Sequence, residues 1–149
     1  MKTILITLLV AMLPILELRG AIPLGVSLGL TPLVATLTSI IGNLLPILPL
    51  LLLLEKIFTY LKTRSFSKKF ITKMEQKVDK KRPVVDKYGW FGLITLVAIP
   101  LPGTGAWTGA LVAVALKMRI RFAFLAITTG VLISALIVFL ITYGFTALL

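Results

Sequence analysis

Four long apolar blocks dominate the chain, with short polar breaks and one long polar segment between them. The blocks cover about residues 3–30, 33–54, 89–116 and 122–146, and the polar segment covers 55–88. A helix that crosses a bilayer needs roughly 20 apolar residues, and the second and fourth blocks have that length. The pattern therefore predicts an all-α integral membrane protein.

The first and third blocks are too long for one ordinary span, and each is interrupted near its middle. The first carries R-G-A-I-P at 19–23 and the second carries P-L-P-G-T-G at 100–105. Glycine and proline so close together disrupt a helix. Irregular backbone at membrane depth survives only where protein or a water-filled cavity covers it. We therefore expect two re-entrant helical hairpins, with arms of about 13 residues each and the interruption at the tip.

The distribution of positive charge favours these hairpins. Eleven of the 16 Lys and Arg residues lie in 55–88, and three more lie in K-M-R-I-R at 117–121. If all four blocks crossed the membrane, these two basic segments would face opposite sides. With two hairpins both segments face the cytoplasm, as the positive-inside rule requires. We predict a multi-pass protein of the cell membrane with a cytoplasmic linker and both termini outside.

The predicted architecture is a single membrane domain of two inverted repeats, each a re-entrant hairpin followed by one transmembrane helix. Repeat one, the linker and repeat two occupy 1–54, 55–88 and 89–149. The tetrapeptide A-I-P-L occurs at 21–24 and again at 98–101, at both expected tips. Inverted repeats with broken helices place a transport site between the repeats, near the middle of the bilayer.

The linker has an apolar residue at every fourth position. These residues are Phe66, Phe70, Met74 and Val78. Basic amphipathic helices of this kind lie on anionic membrane surfaces, so membrane lipids are the expected partner. The alternative is that the stripe packs on the membrane domain.

The chain has no cysteine and no histidine, and only five acidic residues. This composition argues against disulfides, zinc sites and histidine proton relays. Glu17 is the only acid deep within an apolar block. We expect no catalytic residue, metal site or cofactor, and the confinement of the basic charge to loops argues against a nucleic-acid partner.

Glu17 and Arg19 are the candidate substrate or proton site, with Gly20 and Pro23 in the same expected tip. Each charge at the bilayer centre costs about 2.5–3.5 kcal/mol on insertion scales. The two side chains lie on different faces of a helix but on the same side of an extended backbone, so we expect a tip where they face each other or a ligand. Glu17 is the candidate proton acceptor, and Arg19 would hold an anionic head group or Glu17. The alternative is structural: a buried ion pair, or Arg19 capping carbonyl groups at a helix end.

The second expected tip supplies the remaining candidates. They are Pro100, Pro102, Gly103, Thr104, Gly105 and Trp107, with Thr104 as the expected N-cap of the returning arm. The N-terminus of that arm would suit an anion or Glu17 itself. Packing alone is the alternative, since small residues let helices approach closely in lipid. Asn43, in the second block, either lines the same cavity or forms an interhelical hydrogen bond.

Two motifs carry a resemblance. E-L-R-G-A-I-P-L-G-V-S-L-G-L at 17–30 and V-A-I-P-L-P-G-T-G-A-W-T-G-A-L-V-A at 97–113 resemble the small multi-drug export protein family, which is similar in architecture to DedA-like membrane proteins. The resemblance implies an exporter of amphipathic compounds and no enzyme, with proton coupling assigned to Glu17 as above. The DedA-like architecture implies, as an alternative, a lipid or lipid-carrier phosphate translocase. A non-transporting membrane subunit or assembly factor is the third alternative, and the small size leaves a homodimer open.

Overall fold

The computed structural model describes residues 1–62, 72, 76, 87–101 and 103–148, and every regular element in this part of the chain is an α-helix. The helices are α1 (Lys2–Met12), α2 (Glu17–Ser27), α3 (Pro32–Leu44), α4 (Ile47–Lys62), α5 (Trp90–Ala98), α6 (Ala106–Ala115) and α7 (Ile120–Leu148). The all-α prediction is confirmed for these residues. The apolar linker positions 66, 70, 74 and 78 lie outside the described residues.

Two helical stretches of the described chain are long and apolar enough to cross a membrane. They are Pro32–Ile57, which joins α3 to most of α4, and Ile120–Gly144 within α7. They coincide with the second and fourth apolar blocks, as predicted. Pro46 separates α3 from α4, because proline has no N–H to bond the carbonyl of Gly42.

The other described helices flanking these stretches are short. α1 and α2 have 11 residues each, α5 has 9 and α6 has 10. Such lengths correspond to about 14–17 Å, roughly half the thickness of the hydrocarbon core. α1 and α2 pack on each other and on α3, while α5 and α6 pack on each other and on α7. The interruption of the third apolar block lies at 99–105, where it was expected.

The interruption of the first block lies elsewhere than predicted. The chain turns at residues 13–16, and α2 continues through R-G-A-I-P as regular helix, with Pro23 inside it. Pro14 explains the position of the turn, since the residue before a proline is driven out of the helical region and Leu13 has ψ 138°. Pro23 costs α2 only one hydrogen bond, and the burial of Leu18 and Ile22 holds the helix together.

The two copies of A-I-P-L consequently have different structures. Residues 21–24 lie in the middle of α2, whereas 98–101 end α5 and begin the loop after it. The prediction that both copies mark hairpin tips is wrong for the first copy.

A glycine brings α1 and α3 into close contact. A Cβ atom on Gly42 would lie 2.5 Å from the carbonyl oxygen of Leu8 and 2.9 Å from the Cβ of Ala11. These two residues lie in the last turns of α1, so the level of Gly42 on α3 is the level at which α1 ends.

A second glycine does the same for α5 and α7. A Cβ on Gly130 would lie 2.6 Å from the Cβ of Val97 and 2.9 Å from the carbonyl oxygen of Ile94. Near the start of α5, the indole of Trp90 donates to the carbonyl of Phe122 at 3.0 Å. Contacts 90 to 122 and 97 to 130 advance together, so α5 and α7 run parallel.

The two halves join through α2, α3 and α4 on one side and α6 and α7 on the other. α2 and α3 pack on α7, and α4 packs on α6 and α7. The interior between them is apolar, with Leu18, Ile47, Leu51, Ile127 and Val131 all at most 1% exposed. Large apolar side chains also cover the outside of the bundle, as expected for a surface that faces lipid. Examples are Leu33, Leu37, Ile41, Leu45, Leu125, Leu132, Leu136 and Leu140.

Candidate functional site

The candidate site lies where the start of α2 meets the interruption between α5 and α6. We call residues 13–16 the first tip and residues 99–105 the second tip. Glu17 directly follows the first tip, has a left-handed φ of 48° and is 3% exposed. A non-glycine residue adopts this conformation at a cost of roughly 1–2 kcal/mol, so its place here must be stabilised by its contacts.

The carboxylate of Glu17 caps helix α6. Oε1 accepts a hydrogen bond from the backbone N–H of Trp107 at 3.2 Å. Trp107 is the second residue of α6, and the N-cap position is Gly105, which has no side chain to bond the free N–H groups of the first turn. Glu17 therefore does what an N-cap side chain would do, but from another helix. Its negative charge also suits the positive end of the helix dipole.

Gly105 leaves the space that the carboxylate fills. A Cβ atom at this position would overlap the carboxylate of Glu17. The backbone of Gly105, with φ 114° and ψ −172°, lies in a region that is almost restricted to glycine. Both observations require glycine here for Glu17 to reach α6.

The guanidinium of Arg19 binds the opposite end of the same interruption. One terminal nitrogen donates to the carbonyl of Leu101, and the other donates to the carbonyl of Ile99 at 3.2 Å and to Oγ1 of Thr104 at 3.0 Å. Carbonyl groups beyond the end of a helix carry partial negative charge, which a cation stabilises. The structure thus shows Arg19 in the capping arrangement that the sequence left as the structural alternative.

Thr104 does not cap α6 as expected. Its Oγ1 lies 2.7 Å from the carbonyl oxygens of both Ile99 and Leu101 and donates to one of them at a time. The same oxygen accepts from the backbone N–H of Leu101 at 3.3 Å. The hydroxyl turns back onto the backbone of its own loop, a competition common for threonine, and the N-cap falls on Gly105.

Glu17 and Arg19 therefore bind the two electrical poles of a broken helix. Arg19 contacts the carbonyl end of α5, and Glu17 contacts the N–H end of α6. The expected extended backbone at 17–19 is wrong, because both residues belong to the first turn of α2. Residues two apart on a helix point in different directions, which is why the two charges reach different partners.

The remaining candidates divide between the site and its surroundings. Pro100 and Gly103 belong to the second tip, where Gly103 has φ 79° and is exposed. Gly20 and Pro23 are in α2, and Pro23 is exposed on its outer side. Pro102 lies outside the described residues.

Asn43 is fully buried in α3. Neither its Nδ2 nor its Oδ1 has a hydrogen-bond partner among the described residues, so the expected interhelical hydrogen bond is absent there. Sequence reasoning gave no role to Ser39 and Ser134, which are also buried without a partner in the described chain. The signal that could have found them is a small polar residue within an apolar span.

The two membrane-length helices, together with a charged contact inside an apolar bundle, define a helical membrane protein with an interrupted helix in its interior. The chain belongs to the family described as "Putative small multi-drug export protein", whose match covers residues 17–137. The match begins at Glu17 and includes both motifs of the predicted resemblance, which is thereby confirmed. The family's description concerns export, which is not an enzymatic role. No curated protein and no solved structure matches the chain.

Proposed function

We propose that the protein is a multi-pass exporter of small amphipathic compounds, built from two inverted repeats whose re-entrant hairpins meet inside the membrane. The observation that carries this proposal is the binding of Glu17 and Arg19, from one half, to the broken helix of the other half. Secondary transporters use the ends of broken helices at membrane depth to bind substrates and ions.

The lengths of the arms support the re-entrant hairpins. α1, α2, α5 and α6 are each about half as long as a spanning helix, yet they are apolar and pack against the spans. If α1 and α2 enter and leave on one side, and α5 and α6 on the other, their tips lie within the bilayer. The cross-contact from α2 to the second tip fits that depth.

The glycine contacts support the repeat better than A-I-P-L does. Gly42 meets two residues of α1 that are three apart, and Gly130 meets two residues of α5 with the same spacing. In each half the glycine of the span packs against the last turns of the first arm. An offset of 86 relates Leu8 to Ile94 and Ala11 to Val97, whereas the tetrapeptides are offset by 77.

The positive charge supports the orientation. Lys117, Arg119 and Arg121, between α6 and α7, are exposed. With re-entrant hairpins this loop and the linker 55–88 lie on the same side, which the positive-inside rule makes cytoplasmic. The termini are then outside.

Glu17 is the group through which protons couple to transport. As a carboxylate it attracts the N-terminus of α6 and links the two halves. Protonation removes this charge and converts a charge-assisted hydrogen bond into a weaker neutral one. The halves then separate more easily at the tips, while Arg19 keeps its contacts to the carbonyl groups. Proton binding therefore favours the open contact.

The test is transport of ethidium, a lipophilic cation, by the purified full-length protein in proteoliposomes with an imposed pH gradient. Wild type should move ethidium against its gradient at a rate that depends on the pH difference. Glu17→Gln preserves the size of the side chain but removes the titration, so we expect transport that no longer responds to pH. Glu55→Gln, at an exposed position on α4, is the matched control and should behave as wild type.

Two results would contradict the proposal. Full pH-dependent transport by Glu17→Gln would remove Glu17 from the coupling. Absence of ethidium transport in wild type, together with thermal stabilisation by polyprenyl phosphate that requires Arg19, would favour the lipid-carrier alternative over export.

A further inference from the structure

A second polar feature lies inside the bundle, apart from the charged contact. Ser39 and Asn43 on α3 are 0% exposed, and Ser134 on α7 is 2% exposed. The hydroxyl oxygens and both polar atoms of the Asn43 carboxamide lack a hydrogen-bond partner among the described residues. Leaving such a group dry and unpaired costs about 1–3 kcal/mol, so several together indicate that something else occupies the space beside them.

Ser39 and Asn43 belong to one stripe of α3. They are four residues apart, so their side chains are neighbours along the helix. They lie about 60° and 100° around the helix from Gly42, which faces α1. The stripe is therefore turned away from the centre of the α1 contact but remains buried, and α3 also packs on α2 and α7.

Ser134 lies at the level of the second tip. It is one turn, about 6 Å, beyond Gly130 on α7. Gly130 contacts Val97 at the end of α5, and α5 and α7 run parallel. One turn further along α7 is therefore the level at which α5 has ended and the second tip has begun.

Asn43 lies at the level of the first tip by the same reasoning. It follows Gly42, which contacts Ala11 in the last turn of α1. Glu17 follows the first tip directly and binds the second, so the two tips lie at one level of the bundle. Asn43 and Ser134 are thus buried polar residues on two packed helices, both at the level where the hairpins meet.

We propose that Ser39, Asn43 and Ser134 form a hydrated binding site that holds uncharged hydrogen-bonding groups, such as hydroxyl or amide, of the exported compound. The inference rests on the proposed export function and assigns it a substrate class. The charges of Glu17 and Arg19 are already bound to the second tip, whereas these three side chains supply unused donors and acceptors. A carboxamide and two hydroxyls both donate and accept, which matches a neutral amide or alcohol better than an ion. Water fills the site when no compound is bound.

The test uses the natural absence of cysteine from the chain, which makes any introduced thiol the only one. Ser39→Cys and Ser134→Cys change one atom each and are made separately in the full chain, in proteoliposomes. The reagent is a small cationic methanethiosulfonate, which reacts with the thiolate and therefore needs a hydrated thiol. Two controls lie on α7: Val131→Cys, which is buried among apolar side chains, and Leu136→Cys, which faces outward.

We expect Ser39→Cys and Ser134→Cys to react at least about tenfold faster than both controls, because only a hydrated thiol forms thiolate readily. Chloramphenicol, a neutral compound with an amide and two hydroxyls, should slow these reactions. Tetraphenylphosphonium, a cation without hydrogen-bonding groups, should not slow them. Labelling without any transport would contradict the export proposal alone, because hydration needs no turnover.

Two results would overturn the site itself. Reaction rates at 39 and 134 equal to those at Val131→Cys would mean a dry interior. Fast labelling that chloramphenicol leaves unchanged, or that tetraphenylphosphonium slows equally, would mean that no neutral-group binding site exists there. Asn43→Leu adds a separate check: if the carboxamide is dry, its removal should raise the melting temperature, whereas loss of a hydrated site should not.

Discussion

The first and second tips perform the same task, reversing the chain between two short arms, in different ways. The first tip is closed by backbone hydrogen bonds, from the N–H of Leu13 to Val10 and from the N–H of Glu17 to Leu13. Its four side chains are apolar or proline, and all are exposed. The second tip leaves carbonyl and N–H groups that α2 must satisfy through Arg19 and Glu17.

This difference shows that the halves share packing but divide the chemistry. Both halves place a glycine of the span against the first arm. Only the first half supplies charged side chains, and only the second half supplies the broken-helix ends that they bind. A transporter whose halves separate along this contact would therefore respond to changes on either side, and each residue can be tested from both.

The largest effect should follow from filling the space at Gly105. Gly105→Ala places a Cβ in the carboxylate of Glu17 and forces alanine into a backbone region that costs about 1–3 kcal/mol by itself. We expect a loss of several kcal/mol in stability, or failure to accumulate in the membrane, since the Glu17 contact must also break. Thermal unfolding in detergent, followed by size-exclusion chromatography, measures this.

Gly103→Ala is the matched control for that change. Gly103 also has a positive φ, but a Cβ there would have no atom within 4 Å. Its alanine variant should show only the backbone cost, roughly 1–2 kcal/mol. Equal effects at 103 and 105 would mean that the fit of Glu17 against α6 contributes nothing measurable.

Sequence periodicity predicted the spans, because their length and uniform apolar character leave no other stable arrangement in lipid. It failed at the first tip because two prolines, Pro14 and Pro23, competed for the turn. The choice between them depends on the burial of Leu18 and Ile22 against other helices, which local sequence does not show. The A-I-P-L repeat misled for the same reason: identical letters took helical or loop structure according to their tertiary contacts.

The site was predicted as a set of residues but not as a geometry. Charges inside an apolar block identified Glu17 and Arg19, and clustered glycine and proline identified the second tip. That Glu17 would reach Gly105 and Trp107, rather than Arg19, depends on how α2 packs against α6 and α7. Ser39 and Ser134 were given no role, since a lone serine in a span is usually satisfied by its own helix.

The next largest effect compares the two glycine contacts. Gly42→Ala and Gly130→Ala each force a first arm away from its span, at about 1–3 kcal/mol. The change at Gly42 should cost more, because the nearest atom is the backbone oxygen of Leu8 at 2.5 Å, which cannot rotate away. Melting temperatures of both variants in one detergent provide the comparison.

Gly144→Ala, near the end of α7, is the control for these two changes. A Cβ there would meet no atom within 4 Å, so it should be neutral or stabilising by about 0.5–1 kcal/mol through helix propensity. If Gly42→Ala and Gly130→Ala behaved like Gly144→Ala, neither contact would be tight, and the shared packing of the halves would lose its support.

The smallest effect should come from Thr104, whose hydroxyl joins Arg19 to the carbonyl groups of the second tip. Thr104→Val keeps the shape and removes that hydrogen bonding, while Arg19 retains its two carbonyl partners. We expect a loss of about 1 kcal/mol, and about half of it or less for Thr104→Ser, which keeps the hydroxyl. Both are measured as melting temperatures in wild type and in Arg19→Ala. Thr104→Val should cost less in the Arg19→Ala background, because one partner of the hydroxyl is already gone. Equal costs in both backgrounds would mean that Thr104 only orders its own loop and does not help to connect the halves.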